Sequence, residues 1–530
     1  MHLNYLDFAV LLVYFAVLIG IGLYFARRQT SQETYFLADR KMPWFAVGIS
    51  VLATLLSTNT YLATPGEMIK FGIGFFASNL AYILIIPSVN YIVIPSLMRL
   101  PVTSVYEYME RRYGTGMRGI AAAAFVFTRL IWIGLIIYTA SFATAQMTGW
   151  EIWVIVLIVG GATIFYTTIG GVSAVIWTDF MQAVLLFGGA LFIPCYVAVK
   201  TASTPAAWWG LFSQAGRADV PIFSLDPTVR ISVVGMVMSV FLWHLCTHGA
   251  DQIAAQRYLT TTSLRAARRS VWTFSVSFVC LSTLLTLCGV ALFYFYAQRS
   301  GQPVQQFQAE IAARADKALP QFIATELPHG LAGLVLSALL AAAMSSLSSG
   351  MNSISTVIWN DFMKRRQATV SVLKEVRTAK ILSLVAGVLG IAFALAVDRM
   401  MRLSAWNLVD LMERVNHLFV APLGALFLTG IFFRHMAGPA AFLGFVAGVA
   451  TSILLAFSKE IFHLSQSISF MWIMPLSFLV SLIVSALAGF VFPRPSPTQL
   501  EGMSVGRLPT QRPVGLSQPS APSQAKVHPQ

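Results

Sequence analysis

Charge is what this chain has least of. Only 11% of its 530 residues are Asp, Glu, Lys or Arg, against 57% hydrophobic residues, and the mean hydropathy is +0.73. So little charge excludes a water-soluble globular protein, and the apolar runs reach the roughly 20 residues that a membrane helix needs. Cysteine is scarce too. The four (Cys195, Cys246, Cys280, Cys288) all lie inside apolar runs, which argues against a disulfide framework and for small core residues. No CxxC, HExxH or Walker loop occurs, so the sequence has no signature of metal catalysis or nucleotide hydrolysis. The +14 net charge would suit nucleic acid in a soluble protein, but in a membrane protein the distribution of charge decides. Leu6–Phe25 has no charged segment before it and no small-residue cleavage site after it. Arg27 and Arg28 follow, so it reads as a retained membrane helix rather than a signal peptide.

What is present is a succession of apolar spans. Thirteen are expected: 6–26, 44–64, 75–98, 119–147, 151–169, 175–199, 231–254, 271–298, 329–362, 378–397, 405–432, 438–458 and 468–492. With the first loop placed in the cytoplasm, 23 Lys and Arg fall inside and 10 outside, while Arg129 and Arg414 sit within spans. That asymmetry follows the positive-inside rule and puts the N-terminus outside and the C-terminus in the cytoplasm of a cell (inner or plasma) membrane. The larger outer segments are 201–230 and 299–328, the second with a surface amphipathic helix in QFQAEIAARADKAL. The Pro/Ser/Gln-rich tail, 493–530, cannot bury a core and is expected to be disordered.

Two spans are interrupted. The second (44–64) reads ATLLSTNTYLATPGE and the seventh (231–254) reads WHLCTHGADQ, five spans later. Paired discontinuous helices in corresponding positions point to an inverted-repeat transporter with its sites at the breaks, where unwound backbone lines a cavity instead of lipid. A third feature is LLAAAMSSLSSGMNSISTVIWND (339–361). At helical spacing Ser345, Ser348, Ser349, Asn352 and Thr356 fall on one side of an otherwise apolar helix. Such a stripe of oxygens suits a bare hard cation, or else helix packing with hydroxyls bonded back to their own carbonyls.

Five stretches, in order over about 400 residues, carry a resemblance: ETYFLADRKMPWFAVGISVLAT (33–54), GGVSAVIWTDFMQAVLLFGG (170–189), ADQIAAQRYL (250–259), MSSLSSGMNS (344–353) and APLGALFLTGIFFR (421–434). Together they resemble the sodium:solute symporter family, which includes sodium-coupled carriers of glucose, proline, iodide, monocarboxylates, vitamins and sialic acids. The resemblance implies an all-α integral membrane protein with a leucine-transporter-like core of two inverted five-helix repeats. It divides the chain into a leading helix and loop (1–43), a first repeat (44–200), an outer loop (201–230), a second repeat (231–433), two peripheral helices (434–492) and the tail.

By resemblance, the main sodium site consists of Ala53, Leu56, Ala342, Ser345 and Ser346, and a second of Asp179, Ser345, Ser348 and Ser349. The matching substrate positions are Ser57, Thr60, Asn79, Arg129, His244, Thr247, Phe278 and Glu413. Phe278 stands where several sugar carriers use a lysine, a departure that counts against a sugar. Arg129 lies near mid-membrane, where an unpaired charge costs at least several kcal/mol. It is similar to the arginine that binds the carboxylate in sialic acid carriers, and a planar guanidinium suits a carboxylate. The alternative is an internal pair with Glu413. His244 tunes pH dependence or is a hydrogen-bonded core residue. Asp361 and Arg414 are expected at helix ends or in ion pairs.

The expected function is sodium-coupled import of a small polar organic solute, with carboxylates such as monocarboxylates or sialic acid foremost, by alternating access. No bond is made or broken, so no enzyme activity or cofactor is expected, sodium being the coupling ion. The partners are sodium, the solute and the lipid bilayer, with no nucleic acid, and the protein is expected as a monomer or loose oligomer. The rivals are a proton-coupled carrier titrating Asp179, Glu413 or His244, a sugar or amino-acid carrier on the same fold, and a membrane sensor. A sensor needs an attached signalling domain, for which the tail after Phe492 is too short.

Overall fold

A computed structural model describes residues 4–99, 102–364, 371–403, 408–464 and 468–500, apart from a few side chains within them, that of Glu413 included. The expected disorder of the tail falls mostly on residues outside this set. Among the described residues all regular elements are helices, apart from one isolated bridge between Met42 and Thr261. Ten helices are long and apolar enough to cross a membrane, or eleven with the bent second span counted as one. The principal helices are α1 (Tyr5–Ala26), α2 (Trp44–Leu55), α3 (Thr58–Phe71), α4 (Ile73–Met98), α5 (Thr115–Thr148), α6 (Ile152–Thr201) and α7 (Val233–Ala250). They continue with α8 (Gln252–Leu259), α9 (Leu264–Ser300), α10 (Leu331–Val357), α11 (Val372–Leu403), α12 (Leu408–Phe432), α13 (Gly438–Ala456) and α14 (Ile473–Ala488).

α6 has 50 residues, about 75 Å at the usual rise, more than twice the thickness of a bilayer's hydrocarbon. It bends at Gly171, whose φ of 60° and ψ of −164° are reserved for glycine. A Cβ there would also stand 2.9 Å from the ring and the carbonyl of Tyr35. One long element is therefore long enough for the two spans expected at 151–169 and 175–199.

The serine-bearing α10 is the innermost helix. Of its most apolar window 89% is buried, against 17% for α1, whose outer face is left to lipid. The two are nonetheless joined. Asp7 of α1 accepts from the backbone N–H groups of Gly330 (2.7 Å) and Gly333 (2.8 Å), so its carboxylate satisfies the orphan donors at the start of α10. Gly333 permits this, because a Cβ would come within 2.6 Å of the Asp7 backbone.

The first break is where the sequence puts it. Leu56 (φ −90°, ψ 95°) and Ser57 (φ −81°, ψ 167°) are extended, and the helices on either side bend by 58°. Ser, Thr and Asn at 57–60 favour this, since their side chains compete with the helix for backbone bonds. The second break falls at the end of the expected stretch, WHLCTHGADQ. WHLCTHGA is helical to Ala250, and the chain leaves helical geometry only at Asp251 (φ −98°, ψ 123°), whose carboxylate then caps α8 through the Ile253 N–H at 2.9 Å.

Three arginines counted as loop charges are buried instead. Arg112 donates to the carbonyls of Gly430, Phe433 and Met436 at the end of α12, a cation at the negative end of a helix. Arg118 pairs with Asp361 and Glu110. Arg257 belongs to the site described below. Arg414, in the N-terminal part of α12, pairs with Glu460. The segment 299–328 forms two helices, Val304–Ala313 and Ala315–Glu326, that bury Phe307, Ile311, Phe322 and Ile323. All four cysteines are free.

Candidate functional site

The break between α2 and α3 faces the middle of α10. Beyond a break the last carbonyls of a helix have no helical partner, and here the serines of α10 supply one. Ser345 Oγ donates to the Ala53 carbonyl at 2.8 Å and also reaches Ala342 O at 3.1 Å, while Ser346 Oγ donates to the Thr54 carbonyl at 3.1 Å. Ala53, Leu56, Ala342, Ser345 and Ser346 are all fully buried. The structure thus brings Ala53, Ala342 and Ser345 into contact, with Ser346 on the adjacent Thr54 carbonyl and Leu56 at the break beside them in sequence. Freed of these bonds, the two hydroxyls and the carbonyls they now hold would offer oxygen lone pairs side by side. An all-oxygen cage of this kind suits a hard monovalent cation, with backbone carbonyls replacing its hydration shell.

One turn away lies a second cluster. Asp179 of α6 accepts from Ser50 Oγ at 2.6 Å and Thr54 Oγ1 at 3.4 Å, and Thr54 is bonded to Ser349 at 2.8 Å. Asp179 and Ser349 are therefore neighbours, as expected. Ser348 turns back on its own helix, to the Ser345 carbonyl at 3.0 Å. Arg257, which the sequence reading left among the loop charges, enters the same cluster. Its Nε donates to Ser50 Oγ at 3.0 Å, its Nη2 to Ser349 Oγ at 2.6 Å, and Nη2 stands 3.8 Å from Asp179. Both side chains of this pair are fully buried. A desolvated carboxylate needs a counter-charge, and the guanidinium provides it. The available signal was that Arg257 and Asp179 occur in two of the five recognised stretches, both within reach of apolar spans.

Beside the break lies a cavity of about 140 Å³. Ser57, Thr60, Arg129, His244 and Phe278 line it, five of the eight expected substrate positions. Asn79 is replaced at the wall by its neighbour Ser78, and Thr247 is buried on α7 away from the cavity. The Glu413 side chain lies outside the described residues. Sequence reasoning missed the aromatic wall of Phe75, Trp132, Trp243 and Phe470, although Trp132 is one turn from Arg129 and Trp243 adjoins His244. The polar faces of this wall are placed by hydrogen bonds. His244 Nε2 meets the Tyr82 hydroxyl at 2.9 Å, and His248 stacks on His244 at 5.5 Å while bonding Tyr258 at 2.7 Å. Trp243 Nε1 and His244 Nδ1 have no hydrogen-bond partner among the described residues, so each has bonding capacity to offer.

Arg129 lies between Asp251 and the Trp132 ring, over which its guanidinium stacks at 4.7 Å. It is 4% exposed, and the ion pair with Asp251 resolves how a charge is kept at this depth. The described partner is Asp251, at the second helix break; the side chain of Glu413, which sequence reasoning offered, lies outside the described residues.

These features have counterparts in known proteins. The sodium:solute symporter family profile matches residues 35–448. The chain is 30% identical to the sodium/sialic acid symporter NanT of Aliivibrio fischeri over 84% of its own length and 86% of that protein's. Against the sodium/sialic acid symporter SiaT of Proteus mirabilis the identity is 28%, over 86% and 91% of the two chains. Among solved structures, the substrate-bound outward-open state of a Na+-coupled sialic acid symporter superposes with a TM-score of 0.83 at 26% identity, covering 93% of this chain and 99% of that one. The fold is leucine-transporter-like, as the sequence resemblance implied. The chain belongs to the sodium:solute symporter family.

Proposed function

We propose that this symporter couples one inward sodium ion, held by Ala53, Leu56, Ala342, Ser345 and Ser346, to import of a small organic anion bound in the central cavity. The observation that carries the anion is Arg129, a guanidinium in the wall of a cavity that Leu56 and Ser57 of the first break also line. Sodium and carboxylate would then neutralise each other within one low-dielectric site, which makes each the condition for the other. A cavity of about 140 Å³ is close to the roughly 150 Å³ that takes a benzene ring, so a compact monocarboxylate fits it as it stands. Sialic acid, the cargo named for the relatives, requires the cavity to widen first. The aromatic wall suits the apolar body of either. Phe278 in that wall supports neither a sugar nor a cationic amino acid.

In the proposed order of events the ion binds first. Sodium stabilises the bend between α2 and α3 by replacing the Ser345 and Ser346 hydrogen bonds, and so organises Ser57 and Thr60 at the cavity wall. Solute binding completes the site, the helices carrying the two breaks rock against α10, and sodium leaves once the α2 carbonyls and the α10 hydroxyls part. A second sodium at Asp179, Ser345, Ser348 and Ser349 would require Arg257 to withdraw from Asp179. We further propose thirteen crossings, with the broken pair, both halves of α6 and α12 each counted, the N-terminus outside, and two inverted repeats at 44–200 and 231–433.

The test is ligand-dependent stabilisation of purified protein by pyruvate, N-acetylneuraminate, glucose and proline, each in sodium and in choline chloride. A true ligand at 100 times its Kd adds about 2.7 kcal/mol. A carboxylate should stabilise only in sodium, and Ser345→Ala and Arg129→Ala should each remove the effect. Stabilisation by glucose alone, or stabilisation indifferent to sodium, refutes the proposal.

A further inference from the structure

A second, smaller cavity of about 20 Å³, room for about one water, adjoins the first. Phe125, Thr128, Cys246, Asp251 and Leu423 are among its walls, and Arg129 belongs to the walls of both cavities. The direction between them is consistent on three helices. It runs backward along α5 from Trp132 to Phe125, forward along α7 from Met236 to Cys246, and forward along α12 from His417 to Leu423. On the orientation proposed above, all three steps lead toward the cytoplasm. The Arg129–Asp251 pair therefore stands across the line from the central cavity to the inside.

Asp251 has two tasks at this point. One carboxylate oxygen accepts from Ile253 N–H and caps α8, and the other holds Arg129. The residue that fixes the second helix break is thus also the residue that closes the cavity floor. Only the second task is open to competition. A carboxylate arriving in the central cavity offers Arg129 the same oxygen geometry that Asp251 does.

We propose that the Arg129–Asp251 pair is the partition between the central cavity and the inner one, and that a bound carboxylate opens it by drawing the guanidinium away from Asp251. This rests on the anion reading for its trigger and on the two cavities alone for the partition. With the pair parted, α5 is no longer tied to the hinge between α7 and α8, and the inner cavity joins the central one. Solute binding is in this way transmitted to the inner side by exchange of one ion pair for another, and the released Asp251 carboxylate is left to the Ile253 N–H and to water entering the opened inner cavity.

Cys246 makes the partition observable. It is 1% exposed and in the wall of the inner cavity, so its thiol reacts with a water-borne reagent only when that cavity opens. The experiment uses full-length protein in nanodiscs with sodium present and with Cys195, Cys280 and Cys288 replaced by Ala. The rate of Cys246 modification by N-ethylmaleimide is measured alone, with pyruvate or N-acetylneuraminate, and with uncharged methyl pyruvate. Asp251→Asn is the chosen variant because its amide oxygen keeps the α8 cap while the ion pair is lost. It should be modified about tenfold faster than the parent without any solute. Arg129→Gln should behave alike, and the exchanged pair Arg129→Asp with Asp251→Arg should return the rate toward that of the parent. A carboxylate should accelerate the parent and methyl pyruvate should not.

Equal rates in the parent and in both single variants, each monodisperse and folded, overturn the partition. Equal acceleration by methyl pyruvate overturns the competition between carboxylates. If Asp251→Asn reacts faster but no carboxylate affects the parent, the partition stands and the anion reading of the substrate fails. Should Asp251→Asn not fold, Arg129→Lys takes its place. It keeps the charge but loses the planar fork, and a rate no faster than the parent's again overturns the proposal.

Discussion

Consider neutralising Asp179. The carboxylate and Arg257 are both fully buried, 3.8 Å apart directly and linked through Ser50 by contacts of 2.6 and 3.0 Å. At an effective dielectric constant near 20, two unit charges at this separation attract by about 4 kcal/mol. That attraction is largely offset by the cost of desolvating both, so the pair as a whole is close to neutral for stability, whereas one member left alone is not. Asp179→Asn should therefore cost about 3–5 kcal/mol by stranding the guanidinium, and Arg257→Gln a similar amount by stranding the carboxylate. The double variant leaves two amides that can bond each other, Ser50 and Ser349, and should be more stable than the sum of the singles by about 2–3 kcal/mol. The assay is reversible unfolding by SDS titration in mixed micelles, all four proteins compared at one sodium concentration. If the two single effects add to within about 0.5 kcal/mol, Arg257 is not the counter-charge of Asp179 and the reading of this cluster is wrong.

Other consequences follow from the same contacts. Ser345→Ala removes one of the hydroxyl oxygens expected around sodium, so the sodium concentration for half-maximal solute uptake in proteoliposomes should rise about tenfold or more, corresponding to a loss of about 1.4 kcal/mol. Asp7→Asn weakens the cap on α10 by taking the charge from the acceptor of Gly330 and Gly333. It should lower unfolding stability by about 1–2 kcal/mol while leaving the sodium half-saturation unchanged, since α1 supplies no residue to the cavity. Gly171→Ala forces a non-glycine residue into φ 60°, ψ −164° against Tyr35, and should cost about 3 kcal/mol or more, seen as a lower thermal midpoint or loss of folded protein on expression.

The parts of this molecule legible in the sequence are those written locally. The first break is marked by Ser57, Thr58, Asn59 and Thr60 within a few residues, and the serine face of α10 by its own spacing, so both were open to reading before any contact was known. The second break lies inside the polar stretch WHLCTHGADQ but only at its end, because polar side chains within an apolar span do not break the helix where they find partners. His244 and His248 have theirs in Tyr82 and Tyr258, and the helix continues through them. The ion pairs were illegible for a different reason. Arg129 and Asp251 are 122 residues apart, and no periodicity relates α5 to α7. Proximity in the sequence favoured no partner over another, and Glu413 was chosen as an acid of another span. Arg257 was placed in a loop because the apolar run ends near it, a rule that holds for charges meeting water and fails for one that meets a buried carboxylate.

Seen together, these misreadings fall on one short helix. Each polar residue of α8 and its cap reaches a different neighbour. Asp251 holds Arg129 on α5, while Gln252 bonds the backbone of Thr103 and Val105. Gln256 reaches Asn352 and Thr356 on α10 and the Phe36 carbonyl, and Arg257 reaches Ser50 on α2, Ser349 on α10 and Asp179 on α6. All eight residues of α8 are buried, yet half-helices beside a transport cavity are the segments that must move. Apolar burial alone would let such a segment slide, since apolar contacts are non-directional. Directional bonds to four other helices fix it in a single place and make any displacement an exchange of partners. The charged ends of this contact set meet the two proposed sites, Asp251 through Arg129 in the wall of the central cavity and Arg257 one turn from the serines proposed to hold sodium. An ion or solute that competes for either end acts on the same rigid piece, and this gives sodium and solute a common element through which to be coupled.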